Sequence, residues 1–324
     1  MPPLPQAGIP SQRRIVLYHQ TIVPRERGYV PISPLIDNHT GTTHVILAAF
    51  HINGRPGDIT LNDDPPDSPI YNALWEEVPR IQRAGVKVMG MLGGAAMGSF
   101  QRLDGLQLEF EAYYTPLLAI IRRYGLEGLD LDVEEAMSLQ GIIRLIDRLK
   151  ADLGDDFIIT LAPVAAALVG MGNLSGFSYR ELEQSRGSKI SWYNTQFYNG
   201  WGTAQDLRMY AAIIATGWSP NKVVLGLLTN AENGSQGYVS SKVIGPLLAL
   251  LILQFPDFGG VMGWEYFNAL PGEHQKPWQW AAEMSLSMGM AHVLSVAQMT
   301  AGMGALREGL LNFLSNVQNQ NRGQ

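Results

Sequence analysis

The chain has 324 residues, 46% of them hydrophobic, with no cysteine and a formal net charge of −6. That length can bury one large core, and the missing thiols exclude disulfides, thiolate metal sites and a cysteine nucleophile. Basic residues are scattered, with no run longer than Arg13-Arg14 or Arg122-Arg123, so no electrostatic footprint for nucleic acid or an anionic membrane is present.

Residues 1–12 are Pro-rich and lack the apolar stretch of a secretory signal, and they are expected to form a disordered arm. The expected compartment is cytoplasmic, with secretion left open. Sequons stand at Asn38, Asn173 and Asn233, but such tripeptides also arise by chance. Short runs rich in Val, Ile and Leu then recur along the chain. They are RIVLYH (14–19), HVILAAFHI (44–52), VKVMGML (86–92), LEGLDLDVE (126–134), FIITLAP (157–163), ISWYNTQFY (190–198), KVVLGLL (222–228) and GGVMGWEYF (259–267).

Between most of these runs lie segments with apolar residues at helical spacing, such as 110–124 and 139–153. Strands alternating with helices predict parallel βαβ units. Eight of them over about 250 residues fit a (β/α)8 TIM barrel, an α/β fold, here expected across residues 13–285. A doubly wound sheet carries the same alternation, but its first strand would lead into a Gly-rich phosphate turn, where YHQTIVP stands instead. The longest apolar run, Leu247–Leu253, is too short to cross a bilayer and reads as a buried helix. Residues 286–324 are expected to add a short helical extension, with ALREGLLNFLSNV (305–317) amphipathic, and a flexible tail.

The fourth predicted strand carries the chemistry. Asp130, Asp132 and Glu134 alternate with Leu129, Leu131 and Val133, so period two sends three carboxylates to one face and three apolar side chains to the other. In a barrel the apolar face meets the helices and the acids point inward. Three inward carboxylates cannot all ionise in low dielectric, so protons are shared or retained among them. The alternatives are a metal site or a solvated acid cluster. No histidine has ligand spacing beside the acids, which argues against most metals, though magnesium held by carboxylates alone stays open. Glu134 is nearest the C-terminal end of its strand, where barrel active sites sit. Its acidic neighbours are expected to raise its proton affinity, as a general acid requires.

The octet Glu127-Gly128-Leu129-Asp130-Leu131-Asp132-Val133-Glu134 resembles the strand-four motif Asp-Gly-x-Asp-x-Asp-x-Glu of glycoside hydrolase family 18, with only the first Asp changed, to Glu127. Gly93-Gly94-Ala95-Ala96, after the third strand, resembles the family's Ser-x-Gly-Gly motif, with Met91 at the Ser position. Gln196-Phe197-Tyr198-Asn199 is similar to its substrate-binding pattern on strand six, and Trp264 to the tryptophan under the reacting sugar. The resemblance implies that Glu134 protonates the glycosidic oxygen while the substrate's own 2-acetamido oxygen attacks the anomeric carbon, a substrate-assisted retaining mechanism. It further implies that Asp132 orients the acetamido group, Tyr198 hydrogen-bonds it and Asp130 tunes Asp132. Trp264, Gln196, Asn199, Gly93 and Gly94 would bind substrate, with no metal and no cofactor.

Phe50 and Tyr18 end the second and first strands and are candidate pocket walls, and Trp192 and Trp201 are candidate outer-subsite platforms. Glu135 reads as a loop carboxylate, and Glu265 is expected to face away from the chemistry. LDVEEAMSLQG, WYNTQFYNG and VMGWEYFNALPG look more like fungal endo-β-N-acetylglucosaminidases of the family than like its chitinases. The favoured expectation is cleavage of the chitobiose core of N-linked glycans. The alternatives are chitinase action on β-1,4-linked N-acetylglucosamine polymers and a silent carbohydrate-binding barrel, against which the presence of both Asp132 and Glu134 argues. The expected partner is therefore an N-glycan or chitin-type oligosaccharide, with no nucleic acid and no membrane.

Overall fold

Each of the eight predicted apolar runs contains a strand in the computed structural model, which describes residues 13–301. The strands are β1 (Arg14–His19), β2 (His44–Ile52), β3 (Ile59–Leu61), β4 (Lys87–Gly93), β5 (Gly128–Asp132), β6 (Ile158–Leu161), β7 (Trp192–Gln196), β8 (Val223–Leu228) and β9 (Gly260–Trp264). Their order is β1-β9-β8-β7-β6-β5-β4-β2-β3, and a further β1–β2 pairing closes eight parallel strands into a barrel. The extra strand, β3, pairs antiparallel with the end of β2. Its three residues are too few to register as a periodic run.

Helices α1 (Pro34–Asp37), α2 (Asn72–Arg83), α3 (Ser99–Leu103), α4 (Gln107–Arg123), α5 (Leu139–Leu153), α6 (Ala165–Leu168), α7 (Tyr179–Arg186), α8 (Arg208–Ala215), α9 (Ser241–Gln254) and α10 (Gln279–Ala301) connect or follow the strands. The sequence of α5 dictates both its ends and its face. Ser138 accepts a hydrogen bond from the Gly141 amide at 2.9 Å, and Gly154 follows the last turn at φ 88°. Ile142, Leu145, Ile146 and Leu149 recur at three- and four-residue spacing and are all buried. The apolar run at 247–253 lies in α9, whose Ile244, Leu247, Leu248, Leu251 and Ile252 are buried. Among the described residues no helix is long and apolar enough to cross a membrane. Helix α10 packs on α9 and runs through the boundary expected at 285 and 286, while the expected helix at 305–317 lies outside the described residues.

The barrel interior is divided by chemistry. Val16, Ile46, Ala48, Met89, Met91, Val224 and Met262 fill one part with apolar volume. Strands β5, β6 and β7 bring buried Asp130, Asp132, Thr160, Asn194 and Gln196 into the remainder. The alternate residues Leu129, Leu131 and Val133 join the outer core beneath the helices. An apolar barrel would be cheaper to fold, so the polar half marks the face on which the site is built.

Candidate active site

Strand β5 ends at Asp132, and Glu134 stands two residues beyond it, half-buried at the C-terminal mouth. Asp130, deepest of the three acids, is wholly buried and held by three donors. The Tyr18 hydroxyl reaches Oδ2 at 2.7 Å, while Thr160 Oγ1 and Asn194 Nδ2 reach Oδ1 at 2.5 and 3.0 Å. Burial pushes its pKa up, and these hydrogen bonds oppose that rise. Asp132 has fewer donors: Gln196 Nε2 reaches its Oδ1 at 3.3 Å. Burial, then the charges of Glu134 and Asp130, raise its pKa well above the usual carboxylate value.

Gln196 joins the two outer acids. Its Nε2 lies within hydrogen-bond reach of Asp132 Oδ1, of Glu134 Oε1 at 3.2 Å and of the Ala162 carbonyl at 2.9 Å, so its two hydrogens are shared among three acceptors. Tyr198 follows it and is almost wholly buried. Burial and the charges of Asp132, Glu134 and Asp130 push its pKa well above 10, which keeps the phenol protonated and able to donate. Trp264 ends β9 partly exposed, edge-on to Tyr18 with ring centroids 5.4 Å apart.

The Gly93-Gly94 turn approaches from the β4 side. Gly94 N donates to the Asp132 carbonyl at 2.8 Å, and both glycines have positive φ, 95° and 87°. A Cβ on Gly93 would sit 2.5 Å from the Asp132 carbonyl oxygen and 2.3 Å from the Phe100 ring, so neither conformation nor space admits a side chain. Met91, at the position of the family's Ser, points into the apolar part of the barrel. Glu127, the altered first residue of the motif, pairs with Lys87 at 2.6 Å at the opposite end of its strand from the mouth.

Several aromatic and polar expectations are corrected. Phe50 is not a pocket wall but a buried member of the outer core, because the β2–β4 register shifts between Leu47 and Phe50 and breaks the alternation. Trp192 is not an outer platform, since it begins β7 and lies buried at the barrel's bottom, with the Arg14 guanidinium 4.5 Å above its ring and His44 4.6 Å away. Asn199 reaches the mouth, but its side-chain oxygen accepts from Ser235 N and Oγ and so serves the neighbouring loop. Trp201 does reach the mouth, packed against Gly172. Tyr18 is more than a wall, being a direct donor to Asp130. The buried Glu265 carboxylate accepts from Gln20 N and Thr21 N on the segment after β1, and Glu135 is a deeply buried anchor rather than an ordinary loop carboxylate.

Sequence reasoning missed Thr160 and Asn194. Both were marked by period two: Asn194 shares the face of Gln196, and Thr160 is the polar interruption in FIITL. Among the described residues no cluster of three His, Cys, Asp or Glu is arranged to hold a metal ion.

A parallel barrel that spends its inward positions on carboxylates at the C-terminal mouth is built for acid chemistry on a bound substrate, the class of barrel glycoside hydrolases. The chain belongs to the glycosyl hydrolases family 18, whose sequence profile matches residues 14–285. It is 72% identical to the structure of chitinase ChiC from Aspergillus fumigatus, covering 85% of this chain and 99% of that one with a TM-score of 0.79. A fungal endo-β-N-acetylglucosaminidase of the same family is 48% identical over 85% of this chain and 97% of its own, with a TM-score of 0.82. Endochitinase 4 of Metarhizium anisopliae is 26% identical over 189 residues, 53% of this chain and 65% of that protein. The chain thus spans less than two thirds of that curated relative's length.

Proposed function

We propose that this protein is a chitinase that hydrolyses β-1,4-linked N-acetylglucosamine oligomers, with Glu134 donating the proton to the glycosidic oxygen. The observation that carries the reading is the inward carboxylate row, in which the Gln196 amide lies between Asp132 and Glu134. Glu134, at the mouth, is placed to protonate a leaving oxygen. Asp132 and the protonated Tyr198 phenol lie where they can hold a 2-acetamido group, so the substrate's own carbonyl oxygen replaces a carboxylate nucleophile. Asp130, itself held by donors on β1, β6 and β7, acts on Asp132 through its charge, which raises the proton affinity of Asp132. Trp264 supplies an apolar surface for the reacting sugar.

The 72% identity to a chitinase supports this substrate over the N-glycan core favoured by the sequence runs. The second reading, an endo-β-N-acetylglucosaminidase, is supported by the 0.82 TM-score of the 48%-identical fungal enzyme. Both use one acid and one acetamido group, so products discriminate them. The protein is incubated with soluble chitin hexamer and, separately, with a high-mannose glycoprotein, and the products are weighed. Cleaved hexamer is expected. Release of glycan that leaves one N-acetylglucosamine on the protein, with intact hexamer, would replace the chitinase reading by the second one.

A further inference from the structure

The β1–β9 ladder stops one residue short of the site. Its last pair is Leu17 against Gly263, so no ladder pairing joins Tyr18 to Trp264, although the two rings meet edge-on with centroids 5.4 Å apart. On its other side Trp264 is secured by β8, where it pairs with Leu228 and its carbonyl accepts from Thr229 N at 2.8 Å. Toward β1, two contacts stand in for the missing ladder. Tyr266 N donates to the Tyr18 carbonyl at 2.8 Å, and Glu265 clasps the segment that follows β1. Its Oε2 accepts from Gln20 N at 3.1 Å and Thr21 N at 2.7 Å, and its Oε1 from Thr21 Oγ1 at 2.7 Å.

Glu265 is buried, which raises its pKa, and its hydrogen bonds to Thr21 and Gln20 oppose the rise. A buried carboxylate costs free energy that an apolar residue of similar size would not, so filling space does not account for it. What it supplies is two acceptor oxygens in one plane, both taking donors from the same two-residue segment. Tyr18 is fastened at its far end as well, its hydroxyl donating to Asp130. With both ends held, the Tyr18 ring is a fixed buttress for the partly exposed Trp264 indole. We propose that Glu265 is a positioning residue: by clasping Gln20 and Thr21 to the end of β9, it sets the angle of Trp264 beneath the reacting sugar. The inference rests on the proposed hydrolysis, and Glu265 reaches the substrate only through Trp264.

A double-mutant cycle tests this, with kcat and KM measured on the chitin hexamer for wild type, Glu265→Ala, Trp264→Ala and the two combined. Glu265→Ala is expected to lose about tenfold in kcat/KM when Trp264 is present, and less than about twofold once it is gone. Glu265→Gln, whose carbonyl oxygen can take both amides while its Nε2 donates to the Thr21 hydroxyl, is expected to bring activity back to within about threefold of wild type. Should Glu265→Ala not fold, Thr21→Val removes one donor from the clasp in its place. Its loss of about threefold is again expected to vanish in the Trp264→Ala background. Losses that are equal with and without Trp264, or no loss at all, would overturn the positioning role and leave the hydrolysis standing. A wild type that leaves the hexamer intact would overturn the two together.

Discussion

Two adjacent glutamates with opposite tasks offer the sharpest perturbation. Glu135 is 3% exposed, and replacing it with Ala strands the amides of Gly98 and Phe100, which it holds at 2.7 and 2.8 Å. An unsatisfied buried donor costs about 1–3 kcal/mol, so two give a loss of about 4 kcal/mol in unfolding free energy. Glu134 is half-buried and takes one 3.2 Å contact from Gln196, so Glu134→Gln should change stability by less than about 1 kcal/mol. Its cost falls on chemistry, as a turnover loss of at least about 10²-fold for a missing general acid. Urea unfolding followed by tryptophan fluorescence, beside hexamer hydrolysis, separates the two. A Glu135→Ala midpoint equal to wild type, or a Glu134→Gln enzyme of near-normal turnover, would refute the reasoning.

Asp132→Asn tests the shared proton. The Asp132 pKa is raised above its ordinary 3.8 in the folded protein, so the native state binds the proton more tightly than the unfolded chain. Its contribution to stability is therefore fully present below about 3.8 and is lost as pH rises through the folded value. Asn has no such slope, so the variant should gain stability relative to wild type between pH 3 and pH 7, and a gap that stays constant across that range would contradict the shift. Phe50→Ala should cost about 3–5 kcal/mol as a core truncation while leaving the hexamer KM unchanged. A raised KM in a protein of undiminished stability would return Phe50 to the pocket.

Much of the site is a one-dimensional signal. The alternation of Asp130, Asp132 and Glu134 with Leu129, Leu131 and Val133 determined which face of β5 is acidic, because strand side chains repeat every two residues whatever the neighbours are. Eight apolar runs with helical spacers pointed to the barrel. Period two does not say which residues of other strands arrive at the same depth. The donors on Asp130 come from positions 112, 30 and 64 residues away, and only the register of β1, β6 and β7 against β5 brings them together. Register also sent Phe50 outward after the irregularity in β2 and placed Trp192 at the bottom of β7. The anchoring roles of Glu135 and Glu265 depend on backbone amides in segments that have no periodicity to read. Face is a property of one strand, whereas depth and partnership belong to the closed sheet, and only the tertiary structure decided them.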